Sequence, residues 1–258
     1  MQHKVLTIKY MFIIFGSLFL LLISGCASQK TKNQTTNNND QLEPINRISF
    51  GLNETLDEYI LHPIATGYAK YTPEIYKTAI TNFFDNLETP NIITNSFLQG
   101  DFQNGFSSTS RFLVNSTIGI AGLLDPATCM GIKKHYTDVG QTLAKLGISR
   151  GSYLQVPISG ANTVRNSPNI ATSILLDPTT YLNSTVLLPL TTLKIINARS
   201  NILPATNIRD EAAIDLYNFT REVYLQKRIK FIEGVDEPMQ RYEDIFDIAP
   251  DDSILSLE

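Results

Sequence analysis

Gly147-Ile148-Ser149-Arg150-Gly151 is a literal Gly-x-Ser-x-Gly, the pattern that in α/β hydrolases lifts a serine nucleophile onto a tight strand-to-helix turn. A serine in that role needs an acid and then a histidine base later in the chain. Beyond the first 25 residues the histidines are His62 and His135, both upstream of Ser149. Periodicity also places a helix before the motif and a strand after it, the reverse of what the turn requires. A phospholipase using Ser149 therefore stands only as an alternative. Two histidines and Cys129 make a poor metal set, without Cys-x-x-Cys or His-Glu-x-x-His spacing. His62, beside Pro63, reads as a helix-end residue, and His135, among Lys133, Lys134 and Tyr136, as a solvated one. No Gly-x-x-x-x-Gly-Lys-Ser/Thr loop is present to hold a nucleotide. Paired acids such as Asp57/Glu58 and Asp236/Glu237 read as solvated faces. The expectation is a protein without catalytic residues, metal or cofactor.

Cys26 carries the clearest chemistry. Lys4 and Lys9 precede an apolar run from Tyr10 to Ile23, and Ser24-Gly25-Cys26 follows. This is a secretory signal, and its run of 14 residues is shorter than the roughly 20 that cross a bilayer as a helix. Ile23-Ser24-Gly25-Cys26 has the form of a bacterial lipobox, in which the thiol is acylated and the cysteine becomes the new N-terminus. Cys129 is then the remaining thiol, and no intrachain disulfide can form. Ala27 stands where an aspartate would retain a lipoprotein at the inner membrane, so the expected destination is the outer membrane of a Gram-negative bacterium, facing the periplasm. Residues 28–40, almost all Gln, Lys, Thr, Asn and Ser, read as a tether.

Composition limits the rest. The 258 residues are 43% hydrophobic and 18% charged, with a net charge of −4. Wholesale disorder is excluded, and so is the basic excess that nucleic-acid binding needs. Without the first 25 residues, 19 basic side chains face 25 acidic ones.

The elements that must position any site are mostly helical. Ile48, Leu52, Leu56, Tyr59 and Ile60 recur at helical spacing, with Pro63 expected to stop that helix near His62. Thr72-Pro73-Glu74 reads as a capped helix start, followed by Ile75, Ala79, Ile80, Phe83, Phe84 and Leu87 on one face. Pro90 is expected to open a separate short helix to Leu98, ended by Gly100, and Asp101 to cap the next, to about Asn115. Asp125-Pro126 and Asp177-Pro178, each after an apolar stretch, read as helix caps rather than as a repeat. Asp138 to Leu146 is a helix closed by Gly147, and Tyr153 to Val156 is the best strand. Residues 208–231 read as one long helix stopped by Gly234. The expected layout is a signal peptide over 1–25, a lipidated tether over 26–40, one mainly α domain over 41–246, with at most a short strand or hairpin, and an acidic tail over 247–258. Short apolar segments at 118–124, 174–176 and 182–190 carry Gly or Pro inside or beside them. They suit either an ordinary core of brief helices or amphipathic helices lying in a bilayer interface.

Several blocks resemble the MlaA (VacJ) family of outer-membrane lipoproteins. They are Leu42-Glu43-Pro44-Ile45-Asn46-Arg47, Asn82-Phe83-Phe84-Asp85-Asn86-Leu87, Phe97-Leu98-Gln99-Gly100 and Arg111-Phe112-Leu113-Val114-Asn115-Ser116-Thr117-Ile118-Gly119. They continue with Leu124-Asp125-Pro126-Ala127, Gly140-Gln141-Thr142-Leu143, Tyr153-Leu154-Gln155-Val156-Pro157 and Arg221-Glu222-Val223-Tyr224-Leu225-Gln226-Lys227-Arg228. Asp40-Gln41, residues 148–152 and Arg165-Asn166 depart from the family pattern and bear on local loops.

The resemblance implies a helical ring in the inner leaflet of the outer membrane, held against trimeric porins. Its central amphipathic channel would let misplaced phospholipids leave the outer leaflet for a periplasmic carrier like MlaC. Phe83, Phe84, Ile118, Ile120, Leu123 and Leu124 are then candidates to face lipid or line the channel. The segment from Gly131 to Gly140, with Lys133 and Lys134, is a candidate gate that could meet phosphate headgroups, or a plain solvated loop. A porin-associated scaffold that transports nothing is the alternative from another class.

Overall fold

The computed structural model describes Asp40 and residues 42–234. The signal peptide, Cys26, the tether and the acidic tail lie outside the described residues. The fold is mainly α with one antiparallel hairpin.

Helix α1 (Glu43–Leu56) opens with Pro44 in its first turn, where a missing N–H costs nothing. It runs through a five-residue π turn, Asp57–Leu61, straight into α2 (His62–Tyr71). Pro63 therefore does not stop the helix, and His62 lies within it. In the wider turn the His62 N–H reaches back five residues to the Asp57 carbonyl, which relieves the register that a proline would otherwise break. Arg199 clasps this turn, its Nε and Nη2 donating to Asp57 at 2.6 and 2.7 Å.

Helix α3 (Glu74–Leu98) is also longer than its sequence suggests. Thr72 makes no capping bond there, since Pro73 takes the cap position and the Thr72 N–H closes α2 on the Tyr68 carbonyl. Pro90 sits inside α3. Packing of α3 along α4 (Phe102–Thr117), α7 (Pro168–Leu176) and α8 (Ser184–Asn201) holds both halves in one helix. Tertiary contact thus overrides a local breaker.

The expected caps at Asp101 and Asp125 form, Asp138 caps a helix as well, and Asp177 caps a 3₁₀ turn over Pro178–Tyr181, accepting from the Thr179 N–H at 2.8 Å. Asp101 accepts from the Asn104 N–H at 3.2 Å, Asp125 from that of Thr128 at 3.2 Å, and Asp138 from that of Gln141 at 2.8 Å. Asp125 opens α5 (Pro126–Cys129) and Asp138 opens α6 (Val139–Lys145).

Strand β1 (Tyr153–Val156) pairs with β2 (Gly160–Thr163), Tyr153 opposite Thr163 and Val156 opposite Gly160. A lone hairpin is marginal, and α1 stabilises this one through two asparagines seven residues apart. Asn46 donates to the Tyr153 carbonyl at 3.0 Å and accepts from the Gln155 N–H at 2.8 Å. Asn53 does the same for the Val156 carbonyl and the Ile158 N–H, at 3.0 and 2.8 Å. Side-chain amides thereby satisfy an otherwise open strand edge. Phe50 of α1, Tyr153 of β1 and Tyr217 of α10 (Leu216–Glu233) meet edge to face, 5.7 and 6.1 Å between centroids, as a small aromatic core.

The long helix expected over 208–231 is two helices. One is α9 (Leu203–Ala212), Ala213 is extended, and Asp215 caps α10. Ile214 is fully exposed, so nothing packs there to hold a continuous helix, whereas the break lets Tyr217 and Arg221 turn inward.

Candidate functional site

Helices α3 and α4 bury many polar side chains. In α4, Gly105, Ser108, Arg111 and Asn115 point inward while Phe102, Phe106 and Leu113 are exposed. In α3, Asn86, Asn91, Asn95 and Ser96 are buried together with Phe84 and Ile92. Among the described residues, buried polar side chains outnumber buried apolar ones. A helix surrounded by water does the opposite. No described helix is long and apolar enough to cross a membrane.

At the junction of α3 and α4 the buried polar faces meet at a small notch with a volume of about 20 Å³. Asn82, Asp85, Asn86 and Thr89 line one side, and Arg111, Asn115, Asp125 and Lys134 the other. Arg111 is buried and held by several hydrogen bonds. Its Nη2 donates to both Asp125 oxygens at 2.8 and 2.7 Å and to the Thr128 hydroxyl at 3.1 Å. Its Nη1 donates to the Ile132 carbonyl. Burial by itself would raise the Asp125 pKa, but hydrogen bonds from Thr128 and Asn115 and the Arg111 charge together hold it below the usual carboxylate value. Across the notch, the Lys134 ammonium meets Asp85 at 2.6 Å and lies 5.0 Å from the centre of the Tyr136 ring.

Directly beside the notch, residues 118–124 form a tight loop. Ile120, Ala121 and Gly122 are all left-handed, with φ of 53, 57 and 93°. A β-branched residue in that region is strained by about 1–2 kcal/mol. The loop is nevertheless fixed: Gly122 donates its N–H to the Asn115 carbonyl at 2.8 Å, and Leu124 to that of Gly119 at 2.9 Å. It displays Ile118, Ile120, Leu123 and Leu124 on the surface. Phe84, in contrast, is buried against half-buried Phe83 at 5.2 Å, and the Lys194 ammonium lies 6.0 Å from the Phe84 ring centre. Phe84 is thus a packing residue.

The segment from Gly131 to Gly140 is fastened at several points. Arg111 holds Ile132, Asp85 holds Lys134, and Gln99 donates to the Thr137 hydroxyl at 2.5 Å. Asp138 takes a two-pronged contact from Arg228, both at 2.7 Å. Lys133 is exposed. Gly131 is left-handed at φ 75°, a conformation that glycine adopts without strain. Gly140 is not a hinge. It lies buried in the first turn of α6, where Arg228 and Asn166 approach so closely that a side chain has no room.

Ser149 is exposed in the extended link between α6 and β1, so the geometry of a nucleophile turn is not built around it. Among the described residues no three His, Cys, Asp or Glu side chains cluster as a metal site. The charged notch itself escaped sequence reasoning. Its one sequence signal was the run Asn82, Asn86, Asn91 and Asn95, at near-helical spacing through a helix otherwise read by its apolar residues.

Residues 38–230 match the family model described as MlaA lipoprotein. The chain is 32% identical over 210 residues to the intermembrane phospholipid transport system lipoprotein MlaA of Shigella flexneri, covering 80% of this chain and 82% of that one. It is 31% identical over 210 residues to the protein of the same name in Escherichia coli K12, with the same coverage. A solved structure, reported as "Structural basis for maintenance of bacterial outer membrane lipid asymmetry", superposes with a TM-score of 0.66 at 31% identity. That match covers 76% of this chain and 99% of the other.

Proposed function

The chain belongs to the MlaA lipoprotein family, and from that premise we propose that it is an outer-membrane lipoprotein of intermembrane phospholipid transport that helps keep the outer membrane asymmetric. In this reading Cys26 carries the acyl anchor and the helical domain sits in the inner leaflet, facing the periplasm, against a trimeric porin. Phospholipid that has strayed into the outer leaflet descends through an amphipathic channel and passes to a soluble carrier of the MlaC kind. The protein itself performs no covalent chemistry.

The observation that carries this reading is the polarity of α4, with Phe102, Phe106 and Leu113 outside and Ser108, Arg111 and Asn115 inside, packed against the buried amides of α3. Such a body suits a hydrocarbon surround and offers a polar path through it. The need for a shielded path is large, since two 16-carbon chains exposed to water cost on the order of 25 kcal/mol at ~0.8 kcal/mol per CH₂. Without an energy source of its own the protein lowers a barrier, and direction comes from downstream. Movement of residues 132–138 would pivot at Gly131 and requires Lys134 to leave Asp85.

The test is outer-leaflet phospholipid, read with a non-permeant label, in cells lacking this protein and in complemented cells. A rise that complementation reverses is expected. No rise, with the protein present in the parent, would leave the porin-associated scaffold as the better reading.

A further inference from the structure

We propose that the acidic segment after α10 folds back onto an arginine patch of the domain, with Glu243 and Asp244 pairing with Arg150 and Arg165, and Ile245 and Phe246 covering the apolar residues beside them. The occupant is a stretch of this same chain that lies outside the described residues. The inference stands apart from the transport reading.

The patch forms where two stretches of chain meet. The link from α6 to β1 runs beside the 3₁₀ turn Val164–Asn166 that follows β2. Arg165 donates its N–H to the Arg150 carbonyl at 3.1 Å and its Nη1 to the Ile148 carbonyl at 3.0 Å. Gly151, left-handed at φ 69°, packs so closely that a Cβ there would stand 2.8 Å from the Val164 Cβ. Backbone contact thus holds the two arginines in neighbouring positions, each half-buried. Leu146, Ile148 and Val164 are exposed around them.

Their charges are not answered within the domain. Among the described residues the Arg165 side chain donates only to a carbonyl, and Arg150 has no carboxylate at ion-pair distance. Asp138, whose charge reaches Arg165, is already gripped by Arg228 with two contacts of 2.7 Å. Burial, together with the like charges of Arg228 and Arg150, lowers the Arg165 pKa from its ordinary value. An acidic occupant would relieve that repulsion.

Residues 235–258 carry eight acidic side chains against the single basic Arg241, and they begin beside the patch. Gly234 ends α10 in the left-handed conformation. Six residues earlier, Arg228 donates to Asn166, the neighbour of Arg165, at 2.6 Å. Six helical residues rise about 9 Å, and the stretch 235–242 can span up to about 28 Å, enough to return. Glu243-Asp244-Ile245-Phe246 sets two acids next to two apolar residues, matching Arg150 and Arg165 next to Ile148 and Val164. So short a connection keeps the closure cost small and presents the acids at an effective concentration in the millimolar range. A separate acidic partner would have to compete with that.

The test uses the full lipoprotein in detergent micelles, with Cys129→Ser and nitroxide labels at Ser149→Cys and Ala249→Cys, read by double electron–electron resonance. With all charges native, one narrow distance is expected. An undocked segment would give a broad distribution, since 15 flexible residues spread over about 20 Å. Glu243→Gln with Asp244→Asn leaves the domain untouched and should lower the narrow population relative to the broad one roughly fivefold. Arg150→Glu should lower it at least as far, and roughly 0.5 M salt should act in the same direction. Arg150→Glu combined with Asp244→Arg should restore the narrow distance, which separates charge pairing from damage to the fold. A broad distribution with native charges would overturn the proposal and leave the patch to another partner. A narrow distance indifferent to salt and to these substitutions would overturn it too, as would a loss in Arg150→Glu that Asp244→Arg does not rescue. A narrow distance that disappears when labelled chains are diluted with unlabelled ones would assign the segment to a second copy and overturn the fold-back.

Discussion

Gly140 lies against the Arg228 guanidinium: a methyl group at Gly140 would stand 2.3 Å from Arg228 Nη2 and 2.3 Å from the Asn166 amide oxygen. The same guanidinium grips Asp138 at the start of α6 and donates to Asn166 at 2.6 Å. The glycine is therefore a packing requirement that lets α10 fasten the far end of residues 131–140. Gly140→Ala should lower stability by about 1–3 kcal/mol, the usual cost of overpacking, with an earlier midpoint in chemical denaturation. A variant of wild-type stability would show that Arg228 can swing away at no cost.

Asp125 gives the fold an acid sensitivity with a definite sign. Its folded pKa lies below the ordinary value, so its contribution is present above the unfolded pKa near ~3.9 and is lost as pH falls through the lower folded one. Asp125→Asn should cost about 1.5–3 kcal/mol at neutral pH through weaker hydrogen bonds to Arg111. It should also flatten the fall in stability below roughly pH 4, measured as thermal midpoint against pH. A variant whose acid limb matches wild type would assign that limb to other carboxylates.

Ile120 separates stability from function. Its backbone is left-handed and its side chain exposed. Asparagine tolerates that conformation far better than a β-branched residue. Ile120→Asn should stabilise the protein by up to about 1 kcal/mol and yet, if the proposed membrane-facing role of Ile120 holds, weaken clearance of outer-leaflet phospholipid. Full clearance by the stabilised variant would remove Ile120 from the membrane-facing set.

Ser149→Ala should leave outer-leaflet clearance at the wild-type level. Loss of clearance with the fold intact by circular dichroism would revive the phospholipase.

Much of the helical layout was legible because its determinants are local. Asp101, Asp125 and Asp138 each cap the helix that their sequence context announces, and a capping bond spans only three residues. The proline signals at 63 and 90 misled for the opposite reason: a π turn absorbs one and long-range packing overrides the other. β2 was invisible because Gly160-Ala161-Asn162-Thr163 lacks the alternating large apolar residues of a strand. Its place is set by its partner.

What the sequence alone determined about this protein is the helical class and the family blocks, carried by residue type and near-neighbour spacing. Only the tertiary structure decided which face of each helix turns inward. Periodicity finds an amphipathic helix but not the medium around it, and burial of Arg111, Asn86 and Asn115 instead of Ile118 or Leu113 reverses the usual assignment. The notch followed from that reversal. Asp85 and Lys134 are 49 positions apart, and a charge pair across two segments exists only once packing has brought them within hydrogen-bond reach.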